Sequence, residues 1–184
     1  DMRNRPLIVH ATEATLEIIR SHVFNWAIWP DFSVIPTAEK PFMQYSAITV
    51  GEAIELDGRK VMPLPANHTV PAVGYHLDSG DGSLVFTGDT GPCPELWNQV
   101  NAIRNLRYLI IECAFSDREK PLAVASLHLC PSMLLEELTN LQRDAEVFIT
   151  HLKPGQIELT MQEIEDCIGE FRPGMLQNNQ VFEI

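Results

Sequence analysis

The chain has 184 residues and a mass of 20.7 kDa, enough for one domain with a sizeable core. Apolar residues make up 45% and charged residues 21%, an ordinary globular composition that excludes disorder as the main state. Acidic residues outnumber basic ones 25 to 13, giving −12, so bulk charge does not hold a nucleic-acid duplex, and an anionic substrate needs local cations such as metal ions.

Pro6 to His10 reads as a buried strand, and Thr12 can cap a helix running to Phe24. Asn25 to Phe42 is irregular and rich in aromatics and proline. Tyr45–Val50 and Ala53–Leu56 read as strands; Asp57-Gly58 is a hairpin turn, with Arg59–Leu64 returning. Ala72–Asp78 alternates, and Ser83–Thr87 follows the Gly80-Asp81-Gly82 turn. A helix is predicted over Pro94–Asn105, a buried strand over Arg107–Glu112, and a helix over Pro131–Gln142 with proline in its first turn. Val147–Thr150 is a short buried strand, Met161–Phe171 a helix and Gln180–Ile184 a last strand. Strands come first as hairpins and then alternate with helices. The pattern predicts an α/β (α+β) fold, a mixed-sheet sandwich with helices outside, as a single domain over residues 1–184.

No run of about eighteen apolar residues occurs, so no membrane-spanning helix is expected. The cysteines at 93, 113, 130 and 167 are widely spaced without a CxxC, and read as free thiols in a reducing, cytoplasmic setting.

Three polar residues stand where apolar segments end. Asp89 follows Leu84–Gly88, His151 follows Val147–Thr150, and His68 ends Leu64–Asn67. Ligands gather at strand ends in sheets flanked by helices. One carboxylate and two imidazoles suit zinc or manganese, and a carboxylate can bridge two ions. Taken singly, Asp89 before Thr90-Gly91 also reads as a turn former, and each histidine as hydrogen-bonded or exposed.

Five blocks occur in order: His68 to Tyr75 (HTVPAVGY), Phe86 to Pro92 (FTGDTGP), Ile111 to Phe115 (IECAF), Ser126 to His128 (SLH), and Thr150 to Pro154 (THLKP). With Phe24 to Phe32 (FNWAIWPDF), this series resembles the C-terminal part of metallo-β-lactamase-fold phosphodiesterases, above all the class II 3′,5′-cyclic-nucleotide phosphodiesterases. The related tRNase Z enzymes share the order but usually differ in the Phe24–Phe32 segment and after the last histidine. The resemblance implies an αββα sandwich with a two-metal site. In it His68 binds one ion, His151 the other, and Asp89 bridges both. His128 lies near the leaving oxygen, to protonate it or steady the phosphate charge. A metal-bound hydroxide attacks phosphorus in line. The implied reaction is hydrolysis of cyclic AMP or GMP to the 5′-nucleotide.

The family's first metal motif, His-x-His-x-Asp-His, is absent: the other histidines, His10, His22 and His76, form no such cluster. The resemblance therefore implies a domain lacking its N-terminal strands and most of its metal ligands. Each ion keeps one private histidine and the shared Asp89, below the three protein ligands typical of catalytic zinc. Weak or no metal binding by this chain alone is the expectation. An uncovered sheet edge makes a homodimer a further one. Two rival readings stand beside this one. An RNA-processing nuclease of the same fold is opposed by the acidic balance and by the lack of an RNA-gripping insertion. A non-catalytic remnant acting as a binding module is favoured by the absent motif and opposed by the presence of Asp89, His128 and His151.

Other residues carry two readings each. His76 is structural or exposed, His22 solvent-facing, and His10 hydrogen-bonded at a strand end. Trp26 and Trp29 stack on a nucleobase or, as Ala27 and Ile28 favour, close a core or a partner interface. Lys153 meets a phosphate or is solvated. Glu112 backs a histidine or pairs with a nearby base. Nothing near Cys113 or Cys130 lowers a thiol pKa.

Overall fold

The computed structural model describes residues 5–167, 169 and 171–184. By internal contacts the chain divides into two compact units, Asp1–Val50 and Gly51–Ile184.

In the first unit, β1 (Leu7–Ala11) pairs in parallel with β4 (Met43–Ala47), joined through α1 (Glu13–His22) and the two-residue strands β2 (Pro36–Thr37) and β3 (Lys40–Pro41). Thr12 caps α1: its hydroxyl accepts from the Thr15 amide at 3.4 Å, and Leu16 of α1 is fully buried. The helix ends at His22, short of Phe24. The strand expected over Tyr45–Val50 is shifted to Met43–Ala47, because its parallel register runs from Leu7 opposite Met43 to Ala11 opposite Ala47. His10 departs from its expected hydrogen bond: its Nδ1 is buried without a partner among the described residues. Trp26 and Trp29 are 62% and 56% exposed, so neither closes a core; His22 is exposed as expected.

The second unit holds a seven-stranded sheet. Its strands are β5 (Ile54–Leu56), β6 (Arg59–Pro65), β7 (Val73–Asp78), β8 (Ser83–Phe86), β9 (Leu106–Glu112), β10 (Glu146–Thr150) and β11 (Gly174–Met175), in that spatial order. From β5 to β8 the pairing is antiparallel, and from β8 to β11 parallel. The hairpins-then-crossovers pattern of the sequence is thus the topology found. Helices α2 (Pro94–Val100), α3 (Lys120–Ser126), α4 (Pro131–Leu138) and α5 (Ile157–Cys167) supply the crossovers. Proline stands in the first turn of α2, α3 and α4, where a missing N–H costs nothing. Leu64, Val85, Leu109, Ile111, Val147 and Ile149 of the sheet form one core with Leu96 and Val100 of α2, Leu134 and Leu138 of α4, and Ile164 of α5. Each such side chain contributes about 1.5–3 kcal/mol by burial.

Several expected bounds change for tertiary reasons. α2 ends at Val100 instead of Asn105, because the Asn101 side chain donates to Asn140 O and accepts from the Gln142 amide, both at 2.8 Å. The same contacts hold the turn after Leu138, where α4 stops short of Gln142. α5 starts at Ile157, and the expected continuation to Phe171 runs through residues 168 and 170, which lie outside the described residues. The last strand, expected over Gln180–Ile184, does not form. The edge place goes to Gly174–Met175, and Phe182 spends its apolar surface on the rings of Tyr108 and Phe148, at 4.9 and 5.1 Å. Helix α3 has no counterpart in the sequence reading, although Pro121 was its available start signal.

Candidate metal centre

The parallel strands β8, β9 and β10 end on one side of the sheet, and their following residues are Asp89, Glu112 at the strand's last position, and His151. Two backbone turns bring these ends close. Gly88 has φ +63°, and a Cβ there would stand 2.9 Å from Val73 O, so only glycine leads β8 into Asp89 without strain. His151 itself has φ +62°, a left-handed bend that turns the chain out of β10.

His68 is placed by a tie between two loops. The Asn67 amide donates to Thr90 Oγ1 at 2.9 Å, the Gly91 amide donates to Asn67 O at 2.8 Å, and Asn67 Nδ2 donates to Pro92 O at 2.9 Å. These bonds hold His68 alongside Asp89. His128 is placed by the end of α3. Leu127 takes φ +55° as a left-handed C-cap, and the His128 amide donates to Ala123 O at 3.0 Å. The Leu127 carbonyl lies 3.2 Å from His68 Nδ1 and accepts its proton.

Glu112 is fully buried and ties the centre together. Its Oε1 accepts from Thr90 N at 2.9 Å and lies 2.6 Å from His128 Nδ1, while Oε2 accepts from Leu129 N at 3.1 Å and Ala114 N at 3.2 Å. Burial pushes its pKa up to about 7, against the pull of the Leu129 and Thr90 amides. Four donors converge on this carboxylate, so of the two readings of Glu112 the structure selects the residue behind a histidine. His128 is held below the usual histidine range, first by burial and then by His68 and Lys153, against Asp89. Its Nδ1 faces Glu112, so the Glu112 carboxylate sets the orientation of the ring.

Among the described residues, the ligand atoms of His68, Asp89 and His128 lie within 4.8 Å of one another. Both histidines spend Nδ1 on protein acceptors, which leaves Nε2 of each for a cation. This donor set of two imidazoles and one carboxylate fits a divalent metal, with the ring orientations fixed from behind as such ligands require. The grouping differs from the set read in the sequence in one member: His128 stands with His68 and Asp89. His151 lies beside them, its ring stacked on His128 at 5.1 Å and its Nδ1 3.5 Å from Asp89 Oδ1. The structure therefore gathers three donors in one group, one more than the sequence counted for either ion. Phe115, His128, His151 and Lys153 border a pocket of about 370 Å³.

The remaining histidine and the thiols fall elsewhere. His76 borders a separate pocket with Met62, Gln99 and Ile103, and its Nε2 is buried without a partner among the described residues. All four cysteines are free. Burial pushes the thiols of Cys113 and Cys130 up, in keeping with the absence of any activating neighbour.

A mixed α/β fold with a histidine–carboxylate cluster at strand ends is the setting in which comparison with known proteins places the chain. The chain belongs to the beta-lactamase superfamily domain family, whose model matches residues 1–152. That fold family is hydrolytic and usually binds divalent metals. The chain is 22% identical over 171 residues to a probable 3′,5′-cyclic-nucleotide phosphodiesterase of Yersinia pestis, covering 80% of this chain and 50% of that protein. It is 28% identical over 99 residues to ribonuclease Z of Pyrobaculum neutrophilum, covering 54% of this chain and 31% of that one. The chain thus spans half or less of the length of these relatives. Among solved structures it superposes on unliganded yeast PDE1 with a TM-score of 0.78 at 20% identity, over 94% of this chain and 58% of that one. On the metallo-beta-lactamase fold protein YhfI from Bacillus subtilis the TM-score is 0.70 at 15% identity, over 97% and 66%. At such identities the superpositions speak for the fold. No helix among the described residues is long and apolar enough to cross a membrane.

Proposed function

We propose that the chain is the C-terminal part of a metal-dependent phosphodiesterase that hydrolyses 3′,5′-cyclic AMP or GMP to the 5′-nucleotide. The observation that carries the reading is the His68–Asp89–His128 group, its imidazoles oriented from behind by Leu127 O and Glu112. Similarity to the Yersinia phosphodiesterase extends over 80% of the chain, and that to ribonuclease Z over 54%, which favours the cyclic nucleotide over RNA. The net charge of −12 weighs the same way.

His68, Asp89 and His128 are the residues that would hold a zinc or manganese ion. When bound, such an ion supplies positive charge to a phosphodiester and acidifies water. Asp89 Oδ1 also lies 3.5 Å from His151 Nδ1, so Asp89 and His151 are the residues that would serve a second ion. Glu112 keeps the His128 tautomer fixed. His151, 45% exposed at the rim, has the access needed to exchange a proton with a leaving oxygen if the second ion is absent.

The test compares turnover of cyclic AMP, cyclic GMP and a tRNA precursor by the metal-loaded chain and by the same chain extended upstream. Asp89→Ala is the control. Cyclic-nucleotide hydrolysis that Asp89→Ala abolishes supports the reading. Preferred cleavage of the precursor replaces it with the nuclease, and inactivity of both forms leaves the binding-module remnant.

A further inference from the structure

We propose that Lys153 is the anion anchor of this centre, receiving phosphate oxygens in the pocket between Phe115, His128 and His151. The inference rests on the phosphodiesterase reading for the identity of the anion, and on the following geometry for the site.

Strand β10 ends at Thr150, and after the left-handed His151 the residues Leu152, Lys153 and Pro154 line one pocket with Ala114 and Phe115, which follow β9. The Lys153 ammonium then lies 3.9 Å from the centroid of the Phe115 ring. A cation over an aromatic face is held in place without being neutralised. Among the described residues no carboxylate lies within salt-bridge distance of Lys153, in a chain where acids outnumber bases 25 to 13. None of the four lysines pairs with a carboxylate among the described residues; Lys153 is the one that stands half-buried in a pocket with two histidines, where its charge faces an incoming anion. Pro154 adds to the fixation, since the residue before proline is confined to extended conformations.

Lysine acts on phosphate as a point charge with rotating donors, which suits tetrahedral oxygens in changing positions. The pocket holds about 370 Å³, room for a phosphate with part of a ribose. The side walls add little polarity beyond Lys153 and the two imidazoles, because Ala114, Phe115, Leu152 and Pro154 are apolar. The ammonium is thus the one fixed positive charge that the pocket itself offers a bound phosphate. Such an interaction forms in the bound substrate as well as later, so it belongs to binding rather than to the chemical step.

The experiment measures calorimetric affinity of the metal-loaded chain for inorganic phosphate, 5′-AMP and adenosine, in the parent, Lys153→Gln and Lys153→Arg. Metal content and urea midpoint are recorded for each variant. Lys153→Gln is expected to weaken phosphate and 5′-AMP binding about tenfold, the worth of a charged hydrogen bond, with adenosine and metal content unchanged. Lys153→Arg is expected to restore most of the loss. Equal affinity of the parent and Lys153→Gln for phosphate overturns the anchor. A Lys153-dependent phosphate affinity in a chain that hydrolyses no cyclic nucleotide, alone or extended upstream, keeps the anchor and sinks the proposed substrate instead.

Discussion

Glu112 Oε1 lies 2.6 Å from His128 Nδ1 while accepting the Thr90 amide at 2.9 Å, so one buried carboxylate oxygen fixes both a metal-facing imidazole and the loop that carries Asp89. The other oxygen takes the Leu129 and Ala114 amides on either side. The loop of Thr90, the turn at His128 and Leu129, and the end of β9 are thereby referred to a single side chain.

Replacing that carboxylate by an amide tests the arrangement. Glu112→Gln turns one acceptor into a donor aimed at buried N–H groups. It should lower stability by about 1.5–3 kcal/mol in urea unfolding. It should also weaken metal binding about tenfold to hundredfold in competition with a chelator. Unchanged metal affinity would mean that His128 is not oriented from behind.

Metal stoichiometry separates the members of the cluster. Elemental analysis of the chain dialysed against zinc should give one tightly held ion. His68→Ala, Asp89→Ala and His128→Ala should each lose it, and His151→Ala should keep it, because only the first three place ligand atoms within 4.8 Å of one another. A second ion lost with His151→Ala alone would move His151 into the ligand set that the family resemblance implies.

Thr90→Val removes the hydroxyl that accepts the Asn67 amide and leaves that N–H unpaired. The expected cost is about 1–3 kcal/mol in thermal or urea unfolding. Metal affinity should fall with it, since His68 follows the released residue.

Gly74 lies on β7 where an added Cβ would stand 2.8 Å from both Phe86 O and Thr87 O. Gly74→Ala should destabilise by about 1–3 kcal/mol, because backbone on the neighbouring strand must shift. The measurement is again the urea midpoint; a neutral result would mean that the strands yield there without loss.

Asp78 gives a pH dependence on the acid side. The Asn105 side-chain amide, then the Gly80 N–H, hold its carboxyl below the usual aspartate range. A depressed folded pKa contributes stability above the unfolded value, about 3.9, that is lost as pH falls through the folded one. Urea midpoints should therefore drop between about pH 4 and the folded pKa, and Asp78→Asn should flatten that part of the profile.

The longer strands and most crossover helices were legible because apolar runs such as Leu84–Val85 and Leu109–Ile111 carry a local signal that burial then rewards. Asp89, His68 and His151 were legible as polar residues at strand ends. Helix α3 was not, since its seven residues offer little amphipathic period, and its one signal was Pro121. The last strand misled for the opposite reason: Phe182 is apolar for packing on Tyr108 and Phe148, not for pairing.

The order of motifs and the polar residues that stand at strand ends were determined by the sequence itself, because residue chemistry and strand-end position are local properties. Which histidine joins Asp89 and His68 was decided only by the tertiary structure. His128 lies 60 residues from His68 along the chain, and its place depends on the left-handed turn at Leu127 and on the Glu112 carboxylate beneath it. Such a contact between distant segments is selected by packing and hydrogen bonding across the sheet end, which no local pattern encodes.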